Sequence, residues 1–169
     1  PICREGGRVC LLQDSSPLLY NLTGQEYREY LFGWRSFNAV LDFTPLERTL
    51  FGNAEVNACA VLGINEPSSE NPILHAVFRR TLASEGRLSL DIDAYDLHWA
   101  SAERARSCRH VWKTNLLGGG RLHRVADRFG AETGRTVLGF LKENPQWVMA
   151  EGFNRGSGKV YRHPRFHQD

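Results

Sequence analysis

No apolar run in this chain approaches the roughly 20 residues that span a bilayer as a helix, so no membrane-spanning helix is expected. Cys-x-x-Cys is also missing. Cys3, Cys10, Cys59 and Cys108 fall at irregular intervals, and neither a zinc site built on clustered cysteine pairs nor a disulfide framework follows from them. Cys59, inside Asn57-Ala58-Cys59-Ala60-Val61, reads as a small core residue, and Cys3 and Cys10 are the one pair that could join. The chain has no Gly-x-Ser-x-Gly elbow and no P-loop, because Gly118-Gly119-Gly120 lacks the following Lys-Ser/Thr that phosphate binding requires. It has no internal repeat and no low-complexity segment. No metal and no cofactor are expected.

What is present is an ordinary globular composition, 41% hydrophobic and 24% charged, which argues against wholesale disorder. After Arg4 and Arg8, Gln13-Asp14 ends the apolar run Cys10-Leu11-Leu12 too early for a signal peptide, and the expected location is cytoplasmic. The net charge of +2 conceals an asymmetry. Residues 1–85 carry 7 Lys/Arg against 10 Asp/Glu, whereas residues 101–169 carry 13 against 6, a net +7. A polyanion partner would need such a concentration of basic charge.

Hydrophobic spacing predicts helices along most of the N-terminal half. Residues 8–20 can hold a strand or two. Thr23 with Glu26 has capping-box spacing, and Tyr27, Tyr30, Leu31, Trp34, Phe37 and Leu41 then recur on one helical face. Thr44-Pro45 opens a short helix, Asn53 can cap another running towards Gly63, and Asn71-Pro72 precedes a fourth with Ile73, Val77, Phe78 and Leu82. Leu88, Leu90 and Ile92 alternate with polar residues as in a strand. A longer helix is expected from about Ala94 to Leu116, stopped by the three glycines. The resulting expectation is a mainly α fold with a small β component, with a helical domain at 1–86 and a second domain at 87–169.

From Gly120 to Pro164 the order is a helix with Leu122, Val125, Ala126 and Phe129, a turn at Ala126–Gly130, a helix from Thr133 to Asn144, and a hairpin with Asn154-Arg155-Gly156-Ser157-Gly158-Lys159 at its tip. This stretch resembles the winged helix-turn-helix superfamily. The resemblance implies a helix in a DNA groove and a wing along the phosphate backbone. On that reading Arg135, Thr136 and Lys142 reach base edges or phosphates, while Arg121, Arg124, Arg128, Arg155, Lys159 and Arg162 contact phosphates. The fragment TGRTVLGFLKENPQWV also resembles the LOTUS group of winged helices, which contact proteins and RNA.

Double-stranded DNA is therefore the expected partner, in transcriptional control or a plasmid, phage or replication-associated role. The acidic, aromatic-rich N-terminal part would dimerise, hold a protein partner or bind an effector. A protein- or RNA-binding adaptor is the alternative. A third reading is a metal-dependent phosphoesterase built on Asp91, Asp93 and Asp96, set against the simpler role of acids capping a helix. Cys108-Arg109-His110 is unsuited to nucleophile and base, because adjacent helical residues diverge. His75, among Ile, Leu, Val and Phe, reads as a satisfied core histidine.

Overall fold

The computed structural model describes residues 3–51, 56–81, 89–133 and 137–147. Its centre is a five-stranded mixed sheet of β1 (Arg8–Asp14), β2 (Arg35–Asp42), β3 (Ala58–Pro67), β4 (Ile73–Val77) and β5 (Leu97–Ala100), in the order β1-β3-β2-β4-β5. The β1/β3, β3/β2 and β4/β5 pairs are antiparallel, and β2/β4 is parallel. The helices are α1 (Gln25–Trp34), α2 (Glu47–Leu50), α3 (Ala102–Ser107), α4 (Arg109–Thr133) and α5 (Val137–Glu143). This is an α/β fold, which overturns the expectation of a mainly α chain with a small β component.

The register explains where the core sits. Leu11, Val61, Val40, His75 and His98 form one row across all five strands. Asp42, two residues beyond Val40, shares its face because side chains on a strand alternate. Against this face pack Leu18 and Leu19, Leu31 and Phe32 of α1, Ala105 of α3, and Val111 and Trp112 of α4. Phe32 and Trp112 stack with ring centroids 5.5 Å apart, and the indole N–H of Trp112 donates to the Ala105 carbonyl at 3.3 Å. The buried face of α1 is Arg28, Leu31 and Phe32, the three- and four-residue spacing of a helix that buries one stripe. Arg28 Nη1 donates to the Leu18 and Asn21 carbonyls, both at 3.3 Å.

Several expected helices are strands. The periodicity from Tyr27 to Leu41 runs across the junction of α1 and β2, so Phe37 and Leu41 belong to the sheet. Tyr30 and Trp34 are exposed and stack on each other. The segments before Gly63 and after Pro72 are β3 and β4: short apolar runs buried in a sheet interior lack the alternation that marks a half-buried strand. Residues 89–93, expected to continue a strand, are not in one, and β5 falls inside the helix expected from Ala94. The sheet takes strands from both sides of residue 86, and the chain forms two compact units, residues 1–129 and 130–169. Among the described residues no helix is long and apolar enough to cross a membrane.

Candidate functional site

The long α4 is two helical segments. Gly119 has φ 66° and ψ −157°, a combination essentially restricted to glycine. A straight helix would separate His110 from His123 by ~20 Å along its axis, yet their ring centroids are 6.1 Å apart. The chain therefore reverses at Gly119 into a helical hairpin. His98 of β5 sits beneath the reversal, and a Cβ on Gly119 would lie 2.8 Å from its imidazole. The three glycines were expected to end the helix; they turn it back on itself instead. Helix continues through Thr133, so the turn expected at Ala126–Gly130 is absent.

On the returning segment Arg121, Arg124 and Arg128 are all exposed. At 100° per residue their spacing places them within about 60° of arc, a single basic stripe. None of the three has an ion-pair partner among the described residues. Arg124 and Arg128, with Val125 and Asp127, line a surface hollow of about 470 Å³. Of the other expected DNA contacts, Lys142 is exposed on α5, whereas Arg135, Thr136, Arg155, Lys159 and Arg162 lie outside the described residues. The expected hairpin wing lies there too.

Roughly a third of a turn around the same segment is a second constellation, which the sequence reading missed. His123 and Asp127 sit at i and i+4 and so share a face. They meet His110 from the outgoing segment, and the ligand atoms of His110, His123 and Asp127 all lie within 4.8 Å of one another. Cys108 is not helical but occupies the break between α3 and α4. Its Sγ is 3.0 Å from His110 Nε2, so the expectation that Cys108 and His110 diverge does not hold. Arg104 of α3 donates to Asp127 Oδ1 at 2.6 Å and lies 3.2 Å from His123 Nδ1. The hydrogen bond from Arg104 holds the Asp127 carboxyl below its ordinary range, and partial burial with the Arg104 charge depresses His123. The one signal in the sequence was the pair of short spacings, Cys108-x-His110 and His123-x-x-x-Asp127, on either side of the glycines.

A third polar group lies in the core. His75 Nε2 is 3.1 Å from Asp42 Oδ2, and both side chains are fully buried. Tyr20 donates its hydroxyl to the same carboxylate oxygen, the Thr44 backbone N–H donates to Oδ1 at 3.0 Å, and Asn115 lies 3.3 Å from His75 Nδ1. Burial alone would raise the Asp42 pKa, but His75, Thr44 and Tyr20 together hold it below the usual range. Burial beside that carboxylate pushes the Cys59 thiol up to about 12. Fully buried, this network is structural, and His75 is the satisfied core histidine expected of it, on a strand rather than a helix. Asp91, Asp93 and Asp96 do not converge. Asp93 and Asp96 form a capping box at the turn Ala94–Asp96, and Asp96 is held by Arg79 at 2.7 Å. Cys3, Cys10, Cys59 and Cys108 are all free thiols, so Cys3 and Cys10 do not pair.

Neither a family profile nor a curated protein matches this chain. Among solved structures, one from work on complex assembly and conformational transition of the type I restriction-modification system is similar at a TM-score of 0.47 and 12% identity. The alignment covers 85% of this chain and 36% of that one. The type IIG restriction endonuclease BpuSI is similar at a TM-score of 0.44 and 14% identity, over 76% of this chain and 16% of that one. The chain thus spans well under half the length of either, and likeness at this level carries no functional argument.

Proposed function

We propose that this chain binds double-stranded DNA and that the arginine stripe on the returning segment of α4 contacts the phosphate backbone. The observation that carries this reading is the stripe itself: Arg121, Arg124 and Arg128 are exposed, co-facial and without ion-pair partners among the described residues. Arginine on a surface commonly finds a carboxylate, and three left open along one helical edge match the repeated charge of a duplex strand. Contacts of this kind set affinity and position more than sequence choice.

The test is fluorescence anisotropy of a mixed-sequence labelled duplex, titrated with protein at several salt concentrations. Each phosphate neutralised contributes about 0.9 to the slope of log affinity against log salt. The combined Arg121→Ala, Arg124→Ala, Arg128→Ala variant is therefore expected to lose about 2 to 3 units of slope while keeping its circular dichroism. An affinity indifferent to salt, or a triple variant that binds like the parent, would show the reading to be wrong. Preference for single-stranded RNA over the duplex in competition would move the same surface to a different partner.

A further inference from the structure

We propose that Cys108, His110, His123 and Asp127 form a binding site for a divalent transition-metal ion, Zn²⁺ by ligand chemistry, which staples the α4 helical hairpin at its open end. The proposal is independent of what the arginine stripe binds.

Ligand identity and spacing carry the argument. A thiolate, two imidazoles and a carboxylate are the donor types that zinc takes up in four-coordinate sites. Bonds of 2.0–2.3 Å in a tetrahedron put ligand atoms about 3.3–3.8 Å apart. Here Cys108 Sγ is 3.0 Å from His110 Nε2, His110 Nε2 is 3.7 Å from Asp127 Oδ1, and His123 Nδ1 is 3.7 Å from Asp127 Oδ2. His110, His123 and Asp127 already hold their ligand atoms within 4.8 Å of one another, and Cys108 Sγ, in contact with His110, would move in to complete the set. Two ligands come from the start of the outgoing segment and two from the returning one, with 12 residues between His110 and His123. That arrangement of two close pairs across a reversal is how small zinc sites close a loop. It needs the Gly119 reversal, without which the pairs would be ~20 Å apart.

Arg104 supplies the second observation. Its guanidinium lies between Asp127 and His123, at 2.6 Å and 3.2 Å, where it is the local cation. The ligands are thus arranged around a positive charge, and an ion entering the cluster would displace Arg104 towards solvent. The side chain is partly exposed and on the surface of α3, so this movement needs no repacking of the core. Its effect would be to fix the direction of the returning segment.

The test uses the full chain under reducing conditions, with Co²⁺ as the spectroscopic probe and Zn²⁺ as its competitor. The expected result is one equivalent of Co²⁺ bound with the intense visible bands of a tetrahedral site and a near-ultraviolet thiolate-to-cobalt charge-transfer band, both bleached by Zn²⁺. Cys108→Ser should abolish the charge-transfer band and keep the visible ones. His123→Ala and Asp127→Ala should weaken binding, and Arg104→Ala should strengthen it roughly tenfold, the scale on which neighbours of a metal tune its affinity. The double variant Cys3→Ser, Cys10→Ser should leave spectrum and affinity unchanged. The proposal is overturned by the absence of tetrahedral bands in excess Co²⁺, by a charge-transfer band that survives Cys108→Ser, or by Arg104→Ala binding more weakly while its circular dichroism matches the parent.

Discussion

Asp42 and His75 stand 3.1 Å apart with no exposure at all, whereas Asp127 lies 3.7 Å from both His110 and His123 at the surface, where its own side chain is 44% exposed. The same two residue types thus serve opposite ends. In the core, water cannot replace a lost partner, so the Asp42–His75 pair is answered by Tyr20, Thr44 and Asn115, and the group ties the Ser16–Tyr20 turn, strands and α4 into one arrangement. At the surface, solvent and Arg104 screen the charges, and the cluster is free to exchange one cation for another. Burial, more than residue identity, decides which of the two pairs is architecture.

The largest effect is expected where the buried pair is broken. His75→Ala leaves the Asp42 carboxylate buried without its imidazole, a change that typically costs about 3–5 kcal/mol, and Asp42→Ala should approach the same loss. The two together should cost less than their sum, because each single variant already forfeits the shared interaction. Urea denaturation of the four proteins measures this. Strict additivity would mean that the pair is not coupled and that the contrast with the surface cluster is only one of depth.

Gly119→Ala is the next largest. The substitution puts a Cβ 2.8 Å from His98 and a side chain on a φ, ψ combination that costs about 1–3 kcal/mol outside glycine. Because the reversal brings His110 to His123, this variant should also loosen the surface cluster while leaving Asp42 and His75 paired. Chemical shifts of the four histidine rings His75, His98, His110 and His123 would separate the outcomes: movement confined to His75 would contradict it.

How much of this could be read from the residues follows the same division between local and long-range causes. That Arg121, Arg124 and Arg128 lie together on one helix was legible because helical spacing is local. The short helix opened at Thr44-Pro45 and the β1 segment were legible from a proline in the first helical turn and from short apolar runs. Ala58–Val61 and Ile73–Val77 were not, since a short apolar run is compatible with a buried strand or a buried helix until its neighbours in the sheet are known. Tyr27 to Leu41 kept helical spacing by coincidence across the α1/β2 junction. The cluster at Cys108, His110, His123 and Asp127 depends on one backbone angle at Gly119, and residue spacing alone carries no distance across such a reversal.

Acid titration should distinguish two limbs. Burial, followed by the charges of His75 and Arg79, depresses His98, against which Asp96 acts the other way. A histidine whose folded pKa lies below its unfolded value of about 6.5 contributes stability above that pH and loses it as pH falls. Asp42, faced by Tyr20, Thr44, Cys59 and His75, is also depressed, so its contribution is complete above an unfolded pKa of about 3.9 and is lost only as pH falls through the lower folded value. His98→Gln should shrink the upper limb to the part that the depressed His123 supplies and leave the lower one. Stability that is flat from pH 7 to 5 in the parent would exclude a role for His98.

The smallest effect is expected at the surface pair. Arg104→Ala removes the 2.6 Å bond to Asp127, but the partners are exposed enough for water and salt to take over, and such pairs are worth about 0–1 kcal/mol. The variant should therefore unfold at nearly the same urea concentration as the parent, with any difference shrinking further at high salt. This is the point at which the comparison is most easily broken. A loss as large as that of His75→Ala would mean that Arg104 holds the α4 hairpin against α3 as firmly as the buried network holds the sheet, and exposure would then be a poor guide to which aspartate–histidine group is architectural.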